Sequence, residues 1–321
     1  MLIALTDHQQ PDVDLERTLV EEAGHEFVAF QCRDEDEVIG HCRGASGVFA
    51  QYAPMTARVI RALPELSIIS INAVGTDSID LEAARQCGVW VCNVPGASTN
   101  EVASHALGLA LSGIRRLKAF DRSVREGRWS LDIARGMQRP AKMTLGIVGF
   151  GSIGQELARI AAPCFGSVIA HDPFQPEHRF RNATRAASLD SVFEESHVIS
   201  LHLPLTPETT AIVGSGLLSR VRTGCYLVNV SRGGIIDHEA LLEAIESGKV
   251  SGAGLDVLPE EPPEPNDPIL DNPAIQLTPH AAYFSMDAEA DLRRQAINNI
   301  LAWHETGSPP NAVVVGSGNR V

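Results

Sequence analysis

The chain has 321 residues, a formal net charge of -14 and 44% hydrophobic residues. This length suffices for about two domains, each with its own core. The acidic balance argues against a nucleic-acid partner or an anionic membrane surface, because both attract basic patches. The start of the chain lacks the basic segment of a signal peptide, and no apolar run reaches the length of a membrane span. We therefore expect a soluble globular protein.

Cysteine and histidine usage gives no sign of a metal centre. The six cysteines contain no C-x-x-C pair and mostly lie among apolar neighbours. The eleven histidines are scattered without the H-E-x-x-H spacing of metal hydrolases. We expect a reduced, cytoplasmic protein without a structural metal.

Short apolar segments alternate with helical stretches over the first part of the chain. The predicted helices lie near residues 15–23 and from Thr56 onward. The predicted strands are residues 2–5, 26–30, 47–50, 68–72 and 89–93. This βαβ rhythm predicts a parallel, flavodoxin-like sheet over residues 1–97.

A turn-rich hinge at residues 94–98 precedes a predicted helix over residues 100–116. The middle of this helix is small and apolar nearly all round, so we expect burial on most sides. Small side chains allow close backbone approach, which favours packing between domains or across a homodimer. A plain core helix is the alternative.

A glycine-rich turn follows the next apolar run. The segment 145–149 leads into Gly149-x-Gly151-x-x-Gly154 and a predicted helix over residues 155–165. Such a turn directs backbone N–H groups and the positive helix end at a pyrophosphate. Asp172 ends the following strand, where a carboxylate accepts ribose hydroxyls and repels a 2′-phosphate. The combination predicts a Rossmann unit that binds NAD rather than NADP.

Further strands complete a second doubly wound sheet. They are predicted at residues 168–171, 198–203, 225–229, 252–256 and 275–277. The helix 286–305 and the tail 309–315 leave little chain for a third domain, so we expect them to return to the first. The predicted fold is α/β, with two Rossmann-like parallel-sheet domains. One comprises residues 1–97 plus 286–321, and the other, residues 98–285, binds NAD.

Three ionisable residues, Arg232, Glu261 and His280, fall at or just beyond the carboxyl ends of predicted strands in the second half. Each has a structural alternative: a helix-capping arginine, a solvated glutamate and a turn histidine. Ligands of doubly wound sheets bind at these strand ends, so the three side chains can converge. Together they suit hydride transfer, with His280 as acid/base, Glu261 orienting it and Arg232 binding a carboxylate or polarising a carbonyl.

Several motifs resemble those of the D-isomer-specific 2-hydroxyacid dehydrogenases. They are the glycine turn, residues 73–80 (AVGTDSID), 228–237 (VNVSRGGIID), 252–262 (GAGLDVLPEEP) and 277–280 (LTPH). The resemblance covers nearly the whole chain and selects Glu261, directly before proline, over its neighbour Glu260.

The resemblance also implies an active-site cleft between the two domains, with the domain of residues 1–97 plus 286–321 binding substrate. Val74 and Gly75 would bind the substrate carboxylate through their backbone, together with Arg232 and His280, and the helix 100–116 would cross to the partner of a homodimer. Asp256 would lie near the nicotinamide carboxamide. The implied cofactor contacts are Gly149, Gly151, Ser152, Ile153, Gly154, Asp172, Leu203, Pro204, Thr209, Val230, Arg232, Asp256 and His280.

Two departures from the family pattern bear on the substrate. Residues 50–54 (AQYAP) lack the arginines of members that act on phosphorylated acids, which favours a small unphosphorylated substrate such as glyoxylate or hydroxypyruvate. Residues 281–285 (AAYFS) resemble the C-terminal binding protein branch. An NAD(H)-sensing scaffold of that kind, a phosphoglycerate dehydrogenase, and oxidation of an inorganic substrate such as phosphite are the alternatives.

Overall fold

The computed structural model describes residues 1–317. Within this range the strands are β1 (Leu2–Leu5), β2 (Glu26–Ala29), β3 (Gly47–Ala50), β4 (Ile68–Ile71), β5 (Trp90–Cys92), β6 (Thr144–Val148), β7 (Ser167–His171), β8 (Thr184–Arg185), β9 (Val198–Leu201), β10 (Cys225–Asn229), β11 (Val250–Leu255), β12 (Ile275–Leu277) and β13 (Ala312–Val314).

The α-helices alternate with these strands along most of the described chain. They are α1 (Asp14–Glu22), α2 (Glu35–His41), α3 (Ala57–Ala62), α4 (Leu81–Gln86), α5 (Thr99–Ile114), α6 (Leu117–Arg125), α7 (Ser152–Ala161), α8 (Leu189–Glu195), α9 (Ser215–Leu218), α10 (His238–Glu246), α11 (Pro268–Asp271) and α12 (Met286–Thr306).

The chain forms two compact units. The first comprises residues 1–98 and the described residues from 285 onward, and the second comprises residues 99–284. The sheet of the first unit has the order β13-β5-β4-β3-β1-β2, which is flavodoxin-like apart from the antiparallel edge strand β13. The sheet of the second is parallel with the order β12-β11-β10-β9-β6-β7-β8, the doubly wound Rossmann arrangement with one added strand. The predicted fold class of two parallel-sheet α/β domains is confirmed.

The observed helix after the glycine turn begins earlier than predicted. We expected it from residue 155, but α7 begins at Ser152 with Gly151 as its N-cap. Gly154 therefore lies inside the helix, where a β-carbon would come within 2.3 Å of the Gly149 carbonyl oxygen. Gly154 was expected to end the turn before the helix, but it allows the helix to pack closely on the turn.

The stretch from 115 to 128 contains α6, whose exposed side chains pair at i,i+4 spacing, as in Arg122 with Glu126 at 2.8 Å. Helix α5 is less enclosed than expected: Val102, Ala106 and Leu109 are buried against its own sheet, whereas Ser104 and Gly108 are exposed in the single chain. One face of α5 is thus a core face.

Candidate active site

The glycine turn after β6 has the shape that a pyrophosphate site needs. Gly149 has a φ of 88°, and a β-carbon there would come within 2.3 Å of the His202 carbonyl oxygen. By contrast, a β-carbon on Gly151 would meet no atom within 4 Å. Two of the three glycines are therefore fixed by packing within the protein, while the middle one leaves open space beside the first turn of α7. The turn and helix end fit a dinucleotide phosphate.

Asp172 lies directly beside this turn. Its Oδ2 accepts the backbone N–H of Phe150 at 2.8 Å, and its Oδ1 accepts the N–H of Phe174 at 2.9 Å. The carboxylate at the end of β7 is thus held by two backbone donors, of which Phe150 belongs to the glycine turn. This is the location at which the sequence placed a group for the adenosine ribose.

The other expected cofactor residues lie after the neighbouring strands β9 and β10. Leu203 and Pro204 follow β9, and Thr209 Oγ1 donates to the Pro204 carbonyl at 2.6 Å, closing the turn. Val230 follows β10 and is 8% exposed. Because β6, β9 and β10 are consecutive in the sheet, these residues share its carboxyl edge with the glycine turn.

The structure brings His280 and Glu261 into direct contact. His280 Nδ1 lies 2.6 Å from Glu261 Oε2, and the other oxygen of Glu261 accepts the backbone N–H of Leu258 at 3.0 Å. The side chains of His280 and Glu261 are 42% and 36% exposed, so both remain accessible within the chain. The carboxylate therefore orients the imidazole and leaves Nε2 for another partner.

The backbone of His280 adopts an unusual conformation that Asp256 supports. His280 has a φ of 51°, in the left-handed region where residues other than glycine are uncommon. Asp256, 2% exposed, binds this loop through its backbone carbonyl and both carboxylate oxygens, which accept the N–H groups of His280, Ala281 and Ala282 at 2.8–2.9 Å. A strained conformation persists where surrounding bonds enforce it, and here Asp256 enforces it.

A polar chain extends from Asp256 to α5. Thr278 Oγ1 donates to Asp256 Oδ1 at 2.5 Å, and His105 Nε2 lies 2.9 Å from the same hydroxyl. Sequence reasoning gave neither residue a role, although Thr278 lies in the motif at 277–280, and it assigned Asp256 only a cofactor contact. The position of Thr278, two residues before His280, is the one sequence feature that could have indicated its role.

Arg232 lies at the end of β10, next to the loop that carries Glu261. Its guanidinium Nη1 donates to the Ser231 carbonyl at 2.8 Å, and Asn229 Nδ2 donates to the Arg232 carbonyl at 2.9 Å. A β-carbon on Gly233 would come within 2.0 Å of the Leu258 carbonyl carbon, so only glycine permits this approach of the two loops. Arg232, Glu261 and His280 thus follow three neighbouring strands, β10, β11 and β12.

In the first unit, the expected substrate residues Val74 and Gly75 lie in the loop after β4. Val74 is 45% exposed. Its carbonyl accepts Nδ2 of Asn93 at 2.7 Å, and the Ala73 carbonyl accepts the N–H of Val94 at 2.9 Å. Sequence reasoning had not singled out Asn93.

The loop after β3 is organised by a second residue that sequence reasoning missed. Asp7, 7% exposed, follows β1 and accepts the backbone N–H groups of Gln51, Tyr52 and Ala53 at 2.7–3.1 Å. The Thr6 hydroxyl donates to the same carboxylate at 2.7 Å. Three successive N–H groups that converge on one carboxylate form an anion nest, and the protein fills this nest itself.

Within residues 1–317, no helix combines the length and the apolar character that crossing a bilayer requires. Within the same range, histidine, cysteine and carboxylate side chains form no cluster suited to a metal ion.

Comparison with known proteins identifies the family. The family model for the NAD-binding domain of D-isomer-specific 2-hydroxyacid dehydrogenases matches residues 107–282. A glyoxylate reductase of Korarchaeum cryptofilum is 37% identical over 264 residues, which are 81% of this chain and 80% of the relative. The chain belongs to the D-isomer-specific 2-hydroxyacid dehydrogenase family, a family of NAD-dependent oxidoreductases that act on CH–OH groups. The predicted cofactor, NAD, is confirmed.

Other relatives carry different names. A D-3-phosphoglycerate dehydrogenase of Archaeoglobus fulgidus is 38% identical over 237 residues, and these cover 74% of this chain but only 45% of that relative. A hydroxypyruvate reductase of Thermotoga maritima is 38% identical, with 77% of this chain and 80% of the relative covered. The crystal structure of D-lactate dehydrogenase from Aquifex aeolicus with NAD and lactic acid matches with a TM-score of 0.86 and 26% identity, covering 98% of this chain and 100% of that one.

Proposed function

We propose that this protein is an NAD-dependent reductase of a small, unphosphorylated 2-oxo acid, such as glyoxylate or hydroxypyruvate, and forms the corresponding D-2-hydroxy acid. The observation that carries the proposal is the 2.6 Å contact between His280 Nδ1 and Glu261 Oε2, which leaves Nε2 free to exchange a proton with substrate. The names of the glyoxylate and hydroxypyruvate reductases among its relatives support the same substrate class.

In this proposal the reacting carbonyl is activated by two side chains of the second unit. When bound, the nicotinamide supplies the hydride for the carbonyl carbon. His280 gives the proton to the carbonyl oxygen, and Glu261 stabilises the imidazolium and holds its orientation. Arg232 polarises the carbonyl and binds the adjacent carboxylate. In the oxidative direction, His280 removes the hydroxyl proton.

The remaining contacts of the proposal divide between the units. The backbone of Val74 and Gly75 in the first unit binds the substrate carboxylate. In the second unit, NAD is held by the glycine turn with Ser152 and Ile153, by Asp172 at the ribose, and by residues after β9, β10 and β11. The proposed NAD contacts in these three loops are Leu203, Pro204, Thr209, Val230 and Asp256.

The loop over residues 50–54 supports an unphosphorylated substrate rather than 3-phosphoglycerate. It contains no lysine or arginine, and a desolvated phosphate needs charge-assisted partners. The N–H groups of Gln51, Tyr52 and Ala53 are already bound by Asp7, so they do not offer a phosphate nest. The retained His280–Glu261 contact favours an enzyme over an NAD(H)-sensing scaffold.

A substrate panel tests the proposal. Purified protein is assayed for NADH oxidation with glyoxylate, hydroxypyruvate, pyruvate, longer 2-oxo acids and 3-phosphohydroxypyruvate, with NADPH in parallel. We expect rapid turnover of one unphosphorylated acid with NADH, and loss of most turnover in His280→Ala while NADH still binds. Tight NADH binding without turnover of any acid would favour the scaffold, and preferred turnover of the phosphorylated acid would favour phosphoglycerate dehydrogenase.

We further propose a cytoplasmic homodimer. Burial of free thiols, which raises the pKa of Cys42 and Cys92 to about 12, suits a reducing compartment. In the segment after α6, the large apolar side chains of Trp129 and Leu131 are 90% and 78% exposed. Such exposure of apolar side chains in a single chain is typical of residues that an interface covers. Light scattering tests the dimer: the wild type should show twice the chain mass of 34.4 kDa, and the double variant Trp129→Ser and Leu131→Ser should approach the single mass. A monomeric wild type would contradict it.

A further inference from the structure

We infer that Asn93 is a positioning residue that orients the substrate-binding backbone at Val74 and Gly75. The inference rests on the proposed function, because it concerns how the site binds a carboxylate. Asn93 lies just after β5 and does not itself need to touch the substrate.

The argument starts from the planar peptide group. In a trans peptide the C=O and the following N–H point in opposite directions. Asn93 Nδ2 donates to the Val74 carbonyl at 2.7 Å, which fixes the direction of the Gly75 N–H. The Val94 N–H donates to the Ala73 carbonyl at 2.9 Å, which fixes the Val74 N–H in the same way. Two successive peptide groups are thus each held through their carbonyl oxygen.

The two N–H groups are available to a ligand. Neither the Val74 nor the Gly75 N–H donates to an acceptor in the part of the chain that the structure describes. They follow β4, at the carboxyl edge of a parallel sheet where ligands of this architecture bind. Two such N–H groups suit the two oxygens of a carboxylate.

Asn93 is itself firmly held. Its carbonyl accepts Nδ2 of Asn299 at 3.0 Å, and its N–H donates to the Asn311 carbonyl at 3.3 Å. Asn299, on α12, is buried with 0% exposure, and its Oδ1 accepts Nδ2 of Asn311 at 3.0 Å. The asparagine network therefore connects the C-terminal helix and β13 to the substrate loop. It also supplies a matched control, since the Asn311 side chain belongs to the network without touching Val74.

The expected kinetic signature is a rise in KM at nearly constant kcat. Asn93→Ala removes the donor to the Val74 carbonyl, and we expect KM for the 2-oxo acid and the inhibition constant of oxalate to rise about 10-fold. The Kd of NADH, measured by fluorescence, should change less than about 2-fold, because no proposed NAD contact is altered. Asn311→Ala should lower the thermal unfolding midpoint and leave KM close to the wild-type value.

A second variant separates positioning from loss of structure. Asn93→Asp keeps the side-chain shape but places an acceptor against the Val74 carbonyl, so its KM should rise more than that of Asn93→Ala. Protonation of the new carboxyl group at low pH restores a donor. The KM of Asn93→Asp divided by the wild-type KM should therefore decrease as the pH falls. The same ratio for Asn93→Ala should not change with pH.

The outcomes distinguish this inference from the proposed function. If the wild type reduces no 2-oxo acid, the proposed function fails. If the wild type is active but Asn93→Ala and Asn93→Asp keep its KM, or change kcat, KM and NADH binding in parallel with Asn311→Ala, the positioning role is wrong.

Discussion

His280 Nδ1 lies 2.6 Å from Glu261 Oε2, while Glu261 Oε1 accepts the backbone N–H of Leu258 at 3.0 Å. Both oxygens of one carboxylate are therefore engaged, one by the imidazole and one by the loop that positions it. The neighbouring Glu260 is exposed and has the same side chain. This pair gives a direct comparison between an orienting carboxylate and a surface one.

Glu261→Gln should lower kcat by about 10-fold to 100-fold, because it removes the charge that stabilises imidazolium while nearly preserving the shape. Glu260→Gln should leave kcat within about 2-fold of wild type, since a surface charge has weak effects. Steady-state kinetics and NADH titration measure both. Equal losses of kcat in the two variants would contradict the role of Glu261 in orienting His280.

Asp172→Asn should relax the preference for NADH. The carboxylate is held by Phe150 N–H at 2.8 Å beside the glycine turn, so its charge opposes a 2′-phosphate there. We expect the ratio of kcat/KM for NADPH over NADH to rise about 10-fold, which is about 1.4 kcal/mol and close to the interaction of two unit charges about 4 Å apart in water. Asp121→Asn on α6 is the control. An unchanged ratio in Asp172→Asn would show that another residue sets cofactor choice.

Asp7→Asn should loosen the loop over residues 51–53. One of three N–H groups that now bind the carboxylate would face an amide NH₂ instead, and an unsatisfied buried donor costs about 1–3 kcal/mol. We expect a lower thermal unfolding midpoint and a higher KM for the 2-oxo acid, with NADH affinity unchanged. Asp36→Asn, an exposed residue paired with Arg58, should show neither change. If Asp7→Asn keeps the wild-type KM, the loop over residues 51–53 does not contribute to substrate binding.

His202 should make the folded state less stable in mild acid. Burial lowers the pKa of His202 to about 3, whereas the unfolded chain takes up this proton near the ordinary value of about 6.5. Below pH 6.5 the unfolded state therefore binds more protons, so this contribution destabilises the fold progressively as pH falls from about 6.5 toward 3. Between pH 7.5 and 5.0, His202 should lower the free energy of unfolding by about 2 kcal/mol.

Urea unfolding at pH 7.5 and 5.0 measures this effect. His202→Gln carries no titrating ring, while its amide can still bond Ser200, whose Oγ lies 2.9 Å from His202 Nε2. The variant should lose about 2 kcal/mol less stability than wild type over this interval. Identical pH dependence of the two proteins would mean that His202 accepts a proton without unfolding.

The parts of the protein that depend on local chemistry could be predicted from its residues. Gly149 and Gly154 could be recognised because only glycine fits where a β-carbon would come within 2.3 Å of a carbonyl oxygen. Runs of apolar residues predicted the strands of both sheets. Arg232, Glu261 and His280 could be selected because they lie at or just beyond predicted strand ends, within motifs that resemble those of the family. Eleven of the thirteen described strands match predicted ones to within two residues at each end, whereas β8 and β13 were not predicted as strands.

The polar groups that hold the loops could be identified only from the folded chain. Asp7 binds N–H groups 44 to 46 residues away, Asn93 binds the Val74 carbonyl across 19 residues, and Asp256 binds Ala282 across 26. These contacts form only after parallel strands bring distant loops to one edge of a sheet. A lone aspartate or asparagine after a strand carries no pattern that names its partner, because its bonding depends on the strand order. Local sequence therefore fixed the strands and the glycine turn, whereas the packing of the sheets fixed the hydrogen bonds that orient the site.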